Sequence, residues 1–225
     1  MKQFFLFLVI FSIILFLSII FCNSLHLGIC DFLEQYYTIL GSLAIQLGLF
    51  SLGMFFLWKK NLKTTFAEIG FPGNPIKTIL FTIAGLILLF GILLLLGIIA
   101  TLAGFNDQQK VADKVVGLPV IVLLFAVFAA PIAEELFFRA FLVKAFDNFF
   151  LKLIKIPNTG VIFSSIFFGI AHFAYGSVVE IIGVLAIGLI LASIFKISKS
   201  ITPCILIHMI YNGLSIIVMK FVLGI

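Results

Sequence analysis

Long apolar runs, broken by short clusters of lysine, glycine and proline, dominate the chain. Runs of the ~17–25 residues needed to cross a bilayer occupy positions 4–21, 38–58, 78–103 and 117–133. Two shorter or interrupted runs follow at 160–175 and 178–195, and a last one covers 201–219. The pattern predicts an all-α, polytopic membrane helix bundle of about seven transmembrane helices, with six and eight as the neighbouring counts. A membrane barrel is excluded, because its strands are only ~9–11 residues long and alternate with period two. Between the second and third runs, residues 61–70 read as a short surface helix, closed by the breaker Phe71-Pro72-Gly73-Asn74-Pro75.

Composition agrees with the pattern. Of 225 residues, 64% are hydrophobic and 10% charged, whereas a soluble domain is roughly half apolar and a quarter charged. The length suits one membrane domain over 1–225, without internal repeat or low-complexity linker. The first run is long for a signal peptide, no A-x-A-like cleavage site follows it, and Phe21 before Cys22 is too large for lipoprotein processing; it reads as a membrane helix.

The net charge of +5 points to no nucleic-acid partner, because the lysines lie between apolar runs instead of forming one basic face. They orient the chain. With the N-terminus in the cytoplasm, the inner segments hold Lys2, Lys59, Lys60, Lys63, Lys77, Lys144, Lys152, Lys155, Lys196 and Lys199, and the outer ones only Lys110, Lys114 and Lys220. That bias follows the positive-inside rule. Cys22, Cys30 and Cys204 have neither metal-ligand spacing nor a disulfide framework, although Cys22 and Cys30 flank one loop.

Some charges break the apolar pattern. The fourth run continues as Pro131-Ile-Ala-Glu134-Glu135-Leu-Phe-Phe-Arg139, with the chain's only arginine. An ionised group near the bilayer centre costs about 2.5–3.5 kcal/mol even on the mildest scales, so such groups persist paired or facing a cavity. Glu135 and Arg139 are four apart and can form an ion pair on one helix face. Glu134 projects about 100° away, with Phe138 as its own neighbour four residues on. Alone, this cluster reads equally well as a snorkelling salt bridge at the interface.

Two histidines shift that balance. His172 ends Phe168-Gly-Ile-Ala-His172, and His208 opens His208-Met-Ile-Tyr-Asn212, so that His208 and Asn212 share a face. Phe168 shares a face with His172 and can wall a site against lipid. A glutamate, two histidines and an asparagine from three spans supply a base, an imidazole and an amide donor, the parts of a hydrolytic site. His26, in the outer loop, reads as solvated.

At these motifs the chain resembles the CAAX protease and bacteriocin-processing family (CPBP, also called Abi) of intramembrane peptidases. That family's pattern is E-E-x-x-x-R, then F-x-x-x-H, then H-x-x-x-N/D, each on a membrane helix. The resemblance covers roughly 115–213; the first hundred residues add only hydrophobic helices. It implies hydrolysis of a peptide bond in a membrane-associated protein or peptide, with Glu134 as general base, His172 assisting, and His208 and Asn212 holding the oxyanion. No cofactor is expected, since H-E-x-x-H is absent; the alternative is a zinc enzyme with Glu134, His172 and His208 as ligands. A proton-coupled transporter and a non-catalytic immunity or scaffold protein remain open. The expected partners are the bilayer and a peptide or membrane-protein substrate. The expected location is a bacterial plasma membrane, and the four groups are expected in a cavity opening toward the inner half of the bilayer.

Overall fold

A computed structural model describes residues 1–25, 37–105, 107, 109–156, 158–173 and 176–222. His26 and Cys30, and with them the Cys22–Cys30 pairing, lie outside these residues. The described chain is helical: α1 (Lys2–Leu25), α2 (Tyr37–Leu57), α3 (Leu62–Glu68), α4 (Pro75–Leu102), α5 (Gln109–Val116), α6 (120–154), α7 (Thr159–Ala171), α8 (Val178–Ser198) and α9 (202–222). Six helices are long and apolar enough to cross a membrane, and the shorter α7 is equally apolar. Its 13 residues reach about 20 Å at 1.5 Å per residue. The bundle of about seven is therefore the observed architecture, with the seventh helix shorter than a full span.

Apolar side chains point both ways. Ile79, Ile87 and Leu94 on α4 are more than half exposed, the outward face of a helix solvated by lipid. Ala140, Leu191, Ile201 and Ile207 are fully buried. α6 lies between α2 and α7, while α8 packs on α4, α7 and α9. Small and polar residues close these contacts. A Cβ on Gly160 would stand 2.0 Å from the Val143 carbonyl oxygen, so only glycine lets α7 start against α6. One turn on, the Ser164 hydroxyl donates to the Phe138 carbonyl over 2.7 Å.

The lysine-rich end of the bundle is sealed by backbone. Asn61 and Thr64 form a reciprocal capping box that starts α3, and Asn74 caps α4 with Pro75 in its first turn. Gly70 adopts φ +69°, and a Cβ there would meet the Lys199 carbonyl oxygen at 2.2 Å. The α3–α4 turn thereby reaches the α8–α9 turn, where Ile201 N–H donates to the Ile69 carbonyl (3.0 Å) and Ser200 Oγ to the Gly70 carbonyl (2.6 Å).

α6 is continuous but not uniform. It widens to π-helix at Phe125–Ala129 and again at Glu135–Val143, on either side of Pro131. Proline carries no N–H and cannot close an interior helix bond. In the first wide segment Ala130 N–H bonds the Phe125 carbonyl five residues back; in that register Pro131 should serve Ala126, and has nothing to donate.

Candidate active site

The carbonyl orphaned by Pro131 finds its donor on another helix. Asn212 Nδ2 on α9 donates to the Ala126 oxygen over 2.8 Å. This bond fixes the amide's orientation and leaves the second Nδ2 hydrogen to the cavity that Asn212 lines. Pro131 thereby shapes the site through a neighbouring carbonyl.

About one turn further on, the two glutamates part as their spacing predicts. Glu135 and Arg139 are fully buried, with Arg139 Nη1 at 3.0 Å from Glu135 Oε1. The guanidinium carbon lies 4.1 Å from the centre of the Phe168 ring. No hydrogen bond reaches the guanidinium nitrogens among the described residues, so the aromatic face and the carboxylate's charge are what compensate the cation. An interfacial snorkelling cluster is ruled out by this burial. Glu135 does more than pair, since its Oε1 also lies 2.9 Å from His208 Nδ1. A carboxylate there requires a proton on Nδ1, which sets the imidazole's orientation.

Glu134 instead lines a cavity of about 220 Å³ together with His172, His208 and Asn212, room for several waters at ~30 Å³ each. His208 Nε2 stands 3.8 Å from Glu134 Oε2. His172 Nδ1 is 2.8 Å from the Phe168 carbonyl; a carbonyl only accepts, so Nδ1 carries the proton and Nε2 is the basic nitrogen. Phe168 borders the cavity and packs against both histidines, with ring centres 4.7 Å from His172 and 5.8 Å from His208.

Two expectations need correction. The cavity does not open toward the lysine-rich half of the bundle, which the α3–α4 and α8–α9 turns seal. It extends toward the opposite face, lined by Ser42 near the start of α2, Val122 near the start of α6 and Met219 near the end of α9. The amphipathic α5 lies across it, with Val111 and Val115 buried and Asp113 and Lys114 exposed. Nor do the first hundred residues add only hydrophobic helices: Gln46 of α2 lines the cavity, and its Nε2 donates to Glu134 Oε1 at 3.4 Å. A lone amide inside an apolar run was the available signal. Glu180 and Tyr211 also line the cavity; Glu180 sits in the first turn of α8, where an acid ordinarily marks only a helix start.

Among the described residues, no three His, Cys, Asp or Glu side chains stand close enough together to share a metal ion. Zinc would need such a set plus an open position, so the donors present fit it poorly.

Residues 116–214 match the family model described as type II CAAX prenyl endopeptidase Rce1-like. No curated protein and no solved structure matches the chain. All three sequence motifs fall inside the matched stretch, on the helices that enclose the cavity, and over that stretch the chain is similar to the type II CAAX prenyl endopeptidases.

Proposed function

We propose that the chain is an intramembrane endopeptidase that hydrolyses a peptide bond of a membrane-associated protein or peptide by glutamate-activated water. One observation carries this reading: Glu134, His172, His208 and Asn212, from three helices, line a single cavity. Glu134 takes a proton from water as its oxygen adds to the scissile carbonyl. His172, held as the Nδ1–H tautomer, assists through Nε2. His208, acting as the imidazolium with protons on both Nδ1 and Nε2 between the Glu135 and Glu134 carboxylates, and the second Asn212 N–H stabilise the oxyanion, a contribution that grows where water is scarce. When the tetrahedral intermediate collapses, the C–N bond breaks and the proton held by Glu134 passes to the leaving amine.

Glu135 is a positioning residue in this scheme, orienting His208 while Arg139 balances its charge. The poor fit of the donors to zinc supports a reaction without metal. In the same reading the lysine-rich face is cytoplasmic, in a bacterial plasma membrane, so the cavity opens toward the exterior. Reporter fusions after Lys63 and Lys155 should both read as cytoplasmic; an exterior reading at either reverses the orientation.

Purified protein in lipid nanodiscs, given a library of apolar peptides, should yield cleavage products detectable by mass spectrometry and unaffected by excess chelator. Activity lost to chelator and restored by zinc would transfer the mechanism to the metal reading. No product from any peptide or co-purified membrane protein would leave a non-catalytic role.

A further inference from the structure

The cavity holds a second carboxylate that this chemistry does not use. Glu180, half-buried in the first turn of α8, shares the cavity wall with Tyr211 and Ser215. Capping does not require its side chain. Asp107 accepts from the Val178 and Val179 N–H groups at 2.6 and 3.4 Å, and Ser177 Oγ accepts from the Glu180 N–H at 3.1 Å. No side chain among the described residues bonds the Glu180 carboxylate. Lys110 Nζ, on α5, donates to the Gly176 carbonyl at 3.3 Å.

The wall of the cavity has a consistent polarity. Among the described residues Glu134 and Glu180 line it, but no lysine or arginine does. The buried Gln46 Oε1 likewise has no donor among the described residues. A carboxylate beside apolar walls is costly without a partner, and a cation from the substrate supplies one. A free C-terminal carboxylate meets no lysine or arginine among the described residues of this wall.

Building on the endopeptidase reading, we infer that Glu180 is a specificity-determining residue that receives a cationic group of the substrate, a lysine or arginine side chain or a free amine. Tyr211 and Ser215 lie about 5 and 10 Å along α9 from His208, at 1.5 Å per residue. An extended peptide rises ~3.3 Å per residue, which puts the cation two or three positions from the scissile bond.

The test reads binding, so that it does not depend on turnover. Protein carrying Glu134→Gln is titrated with otherwise identical 20-residue apolar peptides bearing lysine, norleucine or glutamate at one scanned position. At the best position lysine should bind at least tenfold tighter than norleucine, and glutamate weaker than both. Adding Glu180→Gln should reduce the lysine preference to less than threefold. No lysine preference, or a preference that survives Glu180→Gln in protein that melts normally, overturns the assignment. Should Glu180→Gln not fold, the lysine, norleucine and glutamate order on the protein retaining Glu180 decides: that order supports the subsite, and any other refutes it. Failure of the wild type to cleave any of these peptides would count against the endopeptidase reading alone.

Discussion

Replacing Arg139 by alanine removes the only cation that faces Glu135 from within the same helix. Both side chains are fully buried, the ion pair spans 3.0 Å, and the guanidinium packs on the Phe168 ring. Breaking a buried pair by deleting one partner costs about 3–5 kcal/mol, because the other charge stays buried and uncompensated. At about 2–4 °C per kcal/mol for a chain of this size, the melting temperature should fall by roughly 6–20 °C. Differential scanning fluorimetry in detergent, with size-exclusion profiles as a control, reads this directly. The double variant Glu135→Gln, Arg139→Met removes both charges at similar volume and should recover most of the loss. It should not recover peptidase activity, because Glu135 also fixes His208. A shift below about 2 °C for Arg139→Ala would correspond to less than ~1 kcal/mol and would refute the claim that this pair is buried and coupled.

Three further outcomes follow from the geometry. Gln46→Leu removes the donor to Glu134 while keeping the bulk; hydrogen bonds to charged groups are worth ~1.5–3 kcal/mol, and the 3.4 Å length favours the low end. A loss of about tenfold in kcat with KM little changed is expected, and an unchanged kcat would remove Gln46 from the site. Pro131→Ala gives α6 an N–H that competes with Asn212 for the Ala126 carbonyl, so kcat should drop several-fold while thermal stability holds or rises; unaffected kcat would show that the Asn212 bond does not depend on the proline. The Val178 N–H, aided by the Ser177 hydroxyl, holds the Asp107 carboxyl below its ordinary range. A depressed carboxyl stabilises the fold above its unfolded pKa of about 3.9 and loses that contribution as pH falls through the lower folded value. At pH 7 the amides of Val178 and Val179 should therefore exchange several-fold faster in Asp107→Asn than in wild type, a difference that shrinks below about pH 3.9; equal exchange at pH 7 would contradict the cap.

The spans were legible because each is a long apolar run, and the glutamates separated as helical spacing requires: Glu135 toward Arg139, Glu134 toward the cavity. α5 was not legible as a helix, since eight residues carrying Val111 and Val115 four apart resemble any polar loop between spans. Gln46 was hidden for a different reason. Its contact with Glu134 joins residues 88 positions apart, and no local pattern encodes which of two helices will face each other. The direction of the cavity failed similarly. Distances along single helices put His208 about 10 Å from Ile201 and His172 about 18 Å from Gly160, but which end of the bundle is closed depends on the turn-to-turn bonds at Gly70, Ile69 and Ser200, which periodicity does not report. The second bond made by Glu135, to His208, again lies between distant segments.

The central claim is that Glu134 is the base of a hydrolytic reaction in this cavity. The most direct measurement is the turnover of one identified peptide by wild type and by Glu134→Gln in the same nanodiscs, with excess chelator present and melting curves recorded for both. Glutamine keeps the shape of the side chain but cannot take a proton from water. The account predicts cleavage by the wild type and a loss of at least a thousandfold in kcat for the variant, about 4 kcal/mol, at an unchanged melting temperature. Comparable turnover by both proteins would contradict it.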